Sequence, residues 1–334
     1  MKIGFSGSSL NNRDILSGSA VPIIGFINEL RKDHNVTWLS SEPELKEKFF
    51  SPVPIIYFNE NSIKSLPKEL ELDVLIMEVW SSSLTRLARE FSKQGTKVVI
   101  WDDNSPYAIY RWRDAAKYAD LILTHGEGSS VILQTMFPDK KVEVFLFATD
   151  PNIFKPSKDI PFESDVSFVG TNITKRLNSL KYLFFNQSCL LPTKTFSLYG
   201  NGWDKSSLLP QYKQISYKGW TNNENLSKIF FNSKISINGT RSGLKEAFLC
   251  PSNRIFDVMA SGGVLLSDPI PGIEKIFTID KELLIANTLE EAYSKIKNVL
   301  ENNNLREEIS SSARSAILRS HTWKHRKNQL MQLL

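Results

Sequence analysis

The chain has 334 residues, 41% of them hydrophobic, enough apolar material for two ordinary cores, and its length favours two domains over one large one. Its 41 basic and 36 acidic residues leave a formal charge of +5, a mixed-sign surface without the concentrated Lys/Arg patch that a dedicated nucleic-acid binder carries. Cys189 and Cys250 lie outside any CxxC or Cys/His cluster, which argues against a disulfide scaffold or a structural zinc site. No apolar run approaches signal-peptide or membrane-span length, so a soluble, cytoplasmic protein is expected.

In chain order, short apolar runs alternate with small-residue turns and helical periods, the signature of a parallel α/β sheet. Strands are expected at residues 2–5, 35–39, 74–78, 97–101, 121–124 and 142–145, with helices at 21–32 and 84–93. Prolines 151, 156 and 161 then crowd a short polar stretch that reads as a linker. A second series follows, with strands at 166–169, 195–199, 233–237, 264–267 and 283–285 and helices at 174–185, 224–231, 254–260 and 290–302. The expected organisation is a Rossmann-like domain over 1–150, a linker over 151–164, a second Rossmann-like domain over 165–317 and a terminal helix over 318–334. A cleft is expected between the two domains.

Two segments carry candidate binding chemistry. The strand ending at Gly170 runs through Thr171 into a helix whose first turn holds Lys175 and Arg176; amides at a helix start plus two cations suit a phosphate, although solvated basic residues at a corner would look the same. In the segment from Pro251 to Gly263, Ile255, Phe256 and Met259 should pack inward. Arg254 and Asp257, three apart, are left together on another face: an Arg for phosphate and a carboxylate for ribose hydroxyls, or a plain surface ion pair. Gly262-Gly263 allows a close backbone approach behind that helix.

From about Asp165 onward the chain resembles the spore-maturation CgeB-like family of GT-B glycosyltransferases, related to glycosyltransferase family 4. The ordered matches are Ser167-Phe168-Val169-Gly170 followed by Arg176, Leu198-Tyr199-Gly200-Asn201-Gly202-Trp203, Tyr217-Lys218-Gly219, Lys234-Ile235-Ser236-Ile237-Asn238, Arg254-Ile255-Phe256-Asp257 with Ala260-Ser261-Gly262, Lys281-Glu282-Leu283, and His321-Thr322-Trp323-Lys324-His325-Arg326. The family usually has Glu where this chain has Asp257, and the first Glu of the family 4 Glu-x7-Glu pattern would fall at Leu249. In the first half, Gly18 and Ser19 occupy the place of the family's glycine-rich loop near the donor phosphates. The resemblance implies an α/β GT-B fold, with the last helix crossing back to the first domain.

That resemblance implies transfer of a sugar from a nucleoside diphosphate donor, which is a substrate rather than a cofactor. The donor would be bound by Gly18, Ser19, Gly170, Thr171, Lys175, Arg176, Asn253, Arg254 and Asp257, with Arg176 and Arg254 neutralising the diphosphate and Asp257 holding the ribose. Retention at the anomeric carbon is implied as well; an inverting enzyme would need a base, and Asp103 and His125, each after a strand of the first sheet, are the candidates, with Glu78 a third. No Asp-x-Asp pair occurs, and His321 and His325 lack further ligands close in sequence, so a metal-independent reaction is expected. The acceptor is open among glycan, protein, small molecule and modified nucleic acid. Competing readings are transfer to hydroxylated bases of nucleic acid, a non-catalytic sugar-nucleotide-binding protein, and an epimerase of the same architecture.

Overall fold

The computed structural model describes residues 1–7, 20–41, 53–79, 81–102, 109–157, 162–222 and 225–334. The chain divides into two compact units, one of Met1–Leu146 with Trp323–Leu334 and one of Phe147–Thr322.

In the first unit the described strands are β1 (Lys2–Ser6), β2 (Asn35–Ser40), β3 (Ile55–Tyr57), β4 (Val74–Met77), β5 (Lys97–Asp102), β6 (Leu121–Thr124) and β7 (Lys141–Val144). They form one parallel sheet in the order β3-β2-β1-β4-β5-β6-β7, with Ile3 opposite both Val36 and Val74. Strands β4 and β6 are buried at every position, because crossover helices cover both faces of a parallel sheet. The described helices are α1 (Ala20–Leu30), α2 (Leu66–Leu70), α3 (Ser82–Lys93), α4 (Ile109–Ala116) and α5 (Glu127–Met136). Helix α3 shows how such a crossover is specified: Ser81 caps the Leu84 amide, and Leu84, Leu87, Ala88 and Phe91 form one buried stripe.

The C-terminal helix, Trp323–Leu333, belongs to this first unit. Trp323 enters a ring cluster with Phe26 and Trp101, at centroid distances of 5.6 and 6.1 Å. Arg326 Nε donates to the Leu146 carbonyl at 2.7 Å, and Lys327 pairs with Glu29 and Asp33. Helix α1 accepts the indole because residue 25 has no side chain: a Cβ there would lie 2.3 Å from Trp323 Nε1.

In the second unit the described strands are β8 (Ser164–Val169), β9 (Phe196–Tyr199), β10 (Ile215–Tyr217), β11 (Ser233–Asn238), β12 (Leu265–Ser267) and β13 (Leu284–Ile285). They form a parallel sheet in the order β10-β9-β8-β11-β12-β13. The helices are α6 (Thr174–Leu180), continued by a π-helical turn (Lys181–Phe185) into α7 (Asn186–Leu190), then α8 (Leu226–Phe231), α9 (Ser242–Glu246), α10 (Asn253–Ala260), α11 (Leu289–Glu301) and α12 (Asn303–Ser320). Phe168, Phe184, Phe185, Phe196 and Trp203 are fully buried and fill the core beside β8 and β9. Strand order reverses between β8 and β11, so the connections leave in opposite directions and open a crevice at the carboxyl ends of those two strands.

The sheets are those expected from the apolar runs. Strands β3 and β10 and helices α2, α4, α5, α7, α9 and α12 lie outside the expectation. Helix α5 begins Glu-Gly-Ser-Ser, a poor helical start, and forms by packing Ser129 and Leu133 inward. Helix α12 follows α11 after Asn302 alone, whose side chain caps the Leu305 amide at 3.0 Å. Among the described residues no helix is long and apolar enough to cross a membrane.

Gly25→Ala should destabilise the protein. The rigid Trp323 ring cannot move aside, and overpacking of about 1–3 kcal/mol exceeds the roughly 1 kcal/mol that Ala gains over Gly in a helix. A lower denaturant midpoint for the variant is the expected result.

Candidate donor site at the carboxyl end of the second sheet

Gly170 follows β8 directly, at the reversal point of the second sheet. A Cβ on this residue would meet Arg254 Nη2 at 2.7 Å, Arg176 Nη1 at 2.8 Å and the Phe168 ring at 3.0 Å. The missing side chain therefore admits two guanidinium groups to one spot, and the two nitrogens lie at most about 5.5 Å apart, since each is within 2.8 Å of the same point. Arg176 comes from the first turn of α6 and Arg254 from the first turn of α10, the helices that follow β8 and precede β12.

Arg254 is fixed from one side. Arg254 lies over the Phe168 ring, 5.0 Å from its centroid, and donates from Nη1 to Asn238 Oδ1 at 2.9 Å. Asn238, the last residue of β11, is itself set by a hydrogen bond from its Nδ2 to Ser267 Oγ at 2.8 Å. Arg176 is buried, and its Nε has no hydrogen-bond partner. Neither arginine forms an ion pair among the described residues. Burial, followed by repulsion from Arg241, lowers Arg176 to about 10; burial, then Arg176 and Arg241, lowers Arg254 to about 9. Both stay protonated at neutral pH. Two charges at that separation repel by about 3 kcal/mol at an effective dielectric constant of 20, a cost that a bound polyanion would reverse.

Asp257 lies one turn beyond Arg254, yet no ion pair joins them. Its Oδ1 accepts from Thr149 Oγ1 at 2.7 Å and its Oδ2 from Asn253 Nδ2 at 2.5 Å. The carboxyl is 4% exposed, and burial raises its pKa to about 8 against the opposing pull of Thr149, Arg254 and Asn253. Asn253 Oδ1 is buried without a partner, so the pair presents one unused acceptor beside the arginines' unused donors. Ser252 does not cap α10; its hydroxyl goes to Asn238 Oδ1 at 3.0 Å, leaving the helix's first amides without a side-chain acceptor.

The structure thus gathers Gly170, Arg176, Asn253, Arg254 and Asp257 in the second unit. Thr171 and Lys175 are exposed on the loop and first turn beyond Gly170. Gly18, Ser19 and Asp103 lie outside the described residues. His125 stands at the end of β6 in the first unit, 1% exposed, with Nδ1 3.3 Å from the Asp102 carbonyl oxygen; Glu78, also buried, follows β4 in the same sheet. His321 packs between Phe256 and Phe277, with ring centroids 5.5 and 5.1 Å away, and His325 lies in the C-terminal helix.

Sequence reading missed Asn238 and the neighbours of Asp257 and Arg176, all brought in by tertiary contact. It also missed Trp220, an exposed indole just beyond β10. The loop before it is tied to the site: Gly200 N donates to the Gly219 carbonyl at 2.8 Å, and Trp203 Nε1 donates to the Gly170 carbonyl at 2.7 Å.

Residues 181–332 match a protein family described as glycosyl transferase-like, a span that includes Asn238, Asn253, Arg254 and Asp257. No curated protein matches the chain in sequence. Among solved structures, an alpha-glucosyltransferase in complex with UDP and a 13-mer DNA containing a HMU base is similar over 99% of this chain and 98% of its own, with TM-score 0.75 and 13% identity. HepE from Anabaena, in complex with UDP and glucose, is similar over 100% and 99%, with TM-score 0.72 and 14% identity. Sucrose-phosphate synthase from Thermosynechococcus elongatus is similar over 100% and 98%, with TM-score 0.72 and 10% identity.

The raised pKa of Asp257 sets a direction for stability against pH. The folded state favours the protonated acid, so its contribution is fully present below the unfolded value near 4 and is lost as pH rises through about 8. Asp257→Asn fixes the neutral form. The difference in melting temperature between variant and wild type should move in the variant's favour from pH 5 to pH 9; a constant difference would contradict the assignment.

The two Rossmann-like units thus have the fold of GT-B glycosyltransferases, and the stretch over residues 181–332, which holds Arg254 and Asp257, is glycosyl transferase-like.

Proposed function

We propose that the chain transfers a sugar from a nucleoside diphosphate sugar, with UDP as the first nucleotide to test, and that the carboxyl end of the second sheet is its donor site. The observation that carries the reading is the pair of guanidiniums converging on Gly170 with no carboxylate bound to either. A diphosphate supplies two or more negative charges and acceptor oxygens for the unused donors of both arginines. The developing charge on the leaving diphosphate would be stabilised by the same groups, which supply the charge that a divalent cation would otherwise bring.

Asn253 Oδ1 would accept from a ribose hydroxyl while Asp257 orients the Asn253 amide and offers its remaining lone pairs. Trp220 would offer a flat apolar face for the base, in line with the Gly170, Gly200 and Gly219 turns. Thr171 and Lys175, exposed beyond Gly170, complete the proposed phosphate contacts of the second unit. Retention of configuration at the anomeric carbon is proposed on the family resemblance; if the product is inverted, His125 and Asp103 become the candidate bases.

One observation favours a particular acceptor. The similar alpha-glucosyltransferase was solved with DNA, and α4 of this chain exposes Tyr110, Arg111 and Arg113, with Lys117 just beyond it. On this second reading the acceptor is a hydroxylated base in nucleic acid. Duplex binding that weakens steeply with salt would support it, and no binding at low salt would remove it.

Arg254→Ala should weaken UDP binding by about tenfold or more, the range for loss of a charge-assisted hydrogen bond. Calorimetric titration checks this. Unchanged affinity in a folded variant would place the donor elsewhere, and transfer from radiolabelled UDP-glucose to candidate acceptors tests the activity.

A further inference from the structure

Behind the arginine pair lies a buried carboxylate to which neither the family resemblance nor the donor-site reading gives a role. Asp268 follows β12 and is 0% exposed. Its Oδ1 accepts from the Thr240 amide at 2.9 Å and from Thr240 Oγ1 at 2.8 Å; its Oδ2 accepts from Ser179 Oγ at 2.5 Å and pairs with Lys245 Nζ at 2.7 Å. Few residues could justify burying a charge so completely, and four donors on one carboxylate are what make it tolerable.

The partners define what the carboxylate does. Ser179 lies one turn beyond Arg176 on α6, Thr240 directly precedes Arg241, and Lys245 belongs to α9. Thr240 Oγ1 also accepts from Asn238 Nδ2 at 3.3 Å, and Asn238 Oδ1 holds Arg254. One anion therefore ties together the segments that carry Arg176, Arg241, Lys245 and Arg254. Asp268 attracts Arg176 and Arg254, while Arg241 repels both. Four cations gathered without an anion would drive one another apart; Asp268 holds the arrangement in the free protein, before any diphosphate arrives. The Lys245 side chain is 33% exposed, and its ammonium, which meets the carboxylate and donates to Ser179 Oγ at 3.3 Å, has one further donor beyond those two contacts.

Resting on the donor-site reading above, we propose that Asp268 is the positioning residue of the diphosphate site and that Lys245, which it holds, is a third side chain binding the phosphates. The cation cluster is then pre-assembled, and binding does not have to organise it.

The test is calorimetric titration of inorganic pyrophosphate into wild type, Lys245→Gln, Asp268→Asn and the double variant at fixed ionic strength, with the melting temperature of each. Each single change should weaken binding by about tenfold, the low end for a charge-assisted contact, and the double variant should be no weaker than the worse single one, because both remove the same arrangement. The sign at Asp268 is decisive. Asp268→Asn deletes a negative charge, so a purely electrostatic role predicts tighter pyrophosphate binding, and a purely structural role predicts a lower melting temperature with unchanged affinity; either result overturns the proposal. If Asp268→Asn does not fold, Lys245→Gln decides, and unchanged affinity there also overturns it. Wild type that binds neither pyrophosphate nor UDP would refute the donor site and this proposal together; wild type that binds, with variants that bind equally, would refute this proposal alone.

Discussion

Two like charges at one glycine, Arg176 buried and Arg254 half-buried, with no counter-ion bound to either, are the constraint on which the second unit's candidate site depends. Proteins rarely bury guanidinium groups without carboxylates, because desolvation is costly and mutual repulsion adds to it. Here the surroundings are built to hold that arrangement. Phe168 supports one arginine from below, Asn238 fixes its end, and Asp268 braces the segments that carry the others. The fold thus keeps a local electrostatic debt that an anionic ligand would discharge.

Topology explains why these residues can meet. In a sheet of order β10-β9-β8-β11-β12-β13, the helices after β8 and before β12 start at the same edge of the crevice, so side chains nearly eighty residues apart reach one point. The donors and acceptors are distributed accordingly: β11 gives Asn238, α10 gives Asn253, Arg254 and Asp257, and the strand end after β12 gives Asp268. The first unit repeats the architecture with different contents. Its strand ends present Glu78, Asp102 and His125, a mixture of acid and imidazole rather than a nest of cations. An anionic donor suits the second sheet far better than the first.

Asp257 shows how a sequence spacing leaves a side chain's partners undetermined. Its spacing from Arg254 suggested a common face serving phosphate and ribose. In the folded chain the two side chains diverge: Arg254 reaches Asn238 on β11, whereas Asp257 is drawn down to Thr149 and Asn253. The unused acceptor of that pair belongs to Asn253. Asp is shorter than Glu by one methylene, so its carboxyl stays among the groups around its own helix, where burial favours the neutral acid.

Sequence alone determined the two parallel α/β units, because strands covered on both faces must be apolar along their length and such runs as Val-Leu-Ile-Met and Leu-Ile-Leu-Thr leave little choice. It also singled out Gly170, Arg176 and Arg254 as candidates, since a glycine at a strand end and cations at helix starts are local signals. Helices α5 and α12 were illegible because weak propensity was outweighed by packing and by a single capping Asn. Only the tertiary structure decided that both arginines share one glycine, that Asp268 ties together the segments carrying four cations, and that Thr149 rather than Arg254 holds Asp257. Thr240 and Asp268 are 28 positions apart and Thr149 and Asp257 are 108 apart, and no periodicity or spacing encodes a contact of that range; the crossing of strands and helices does.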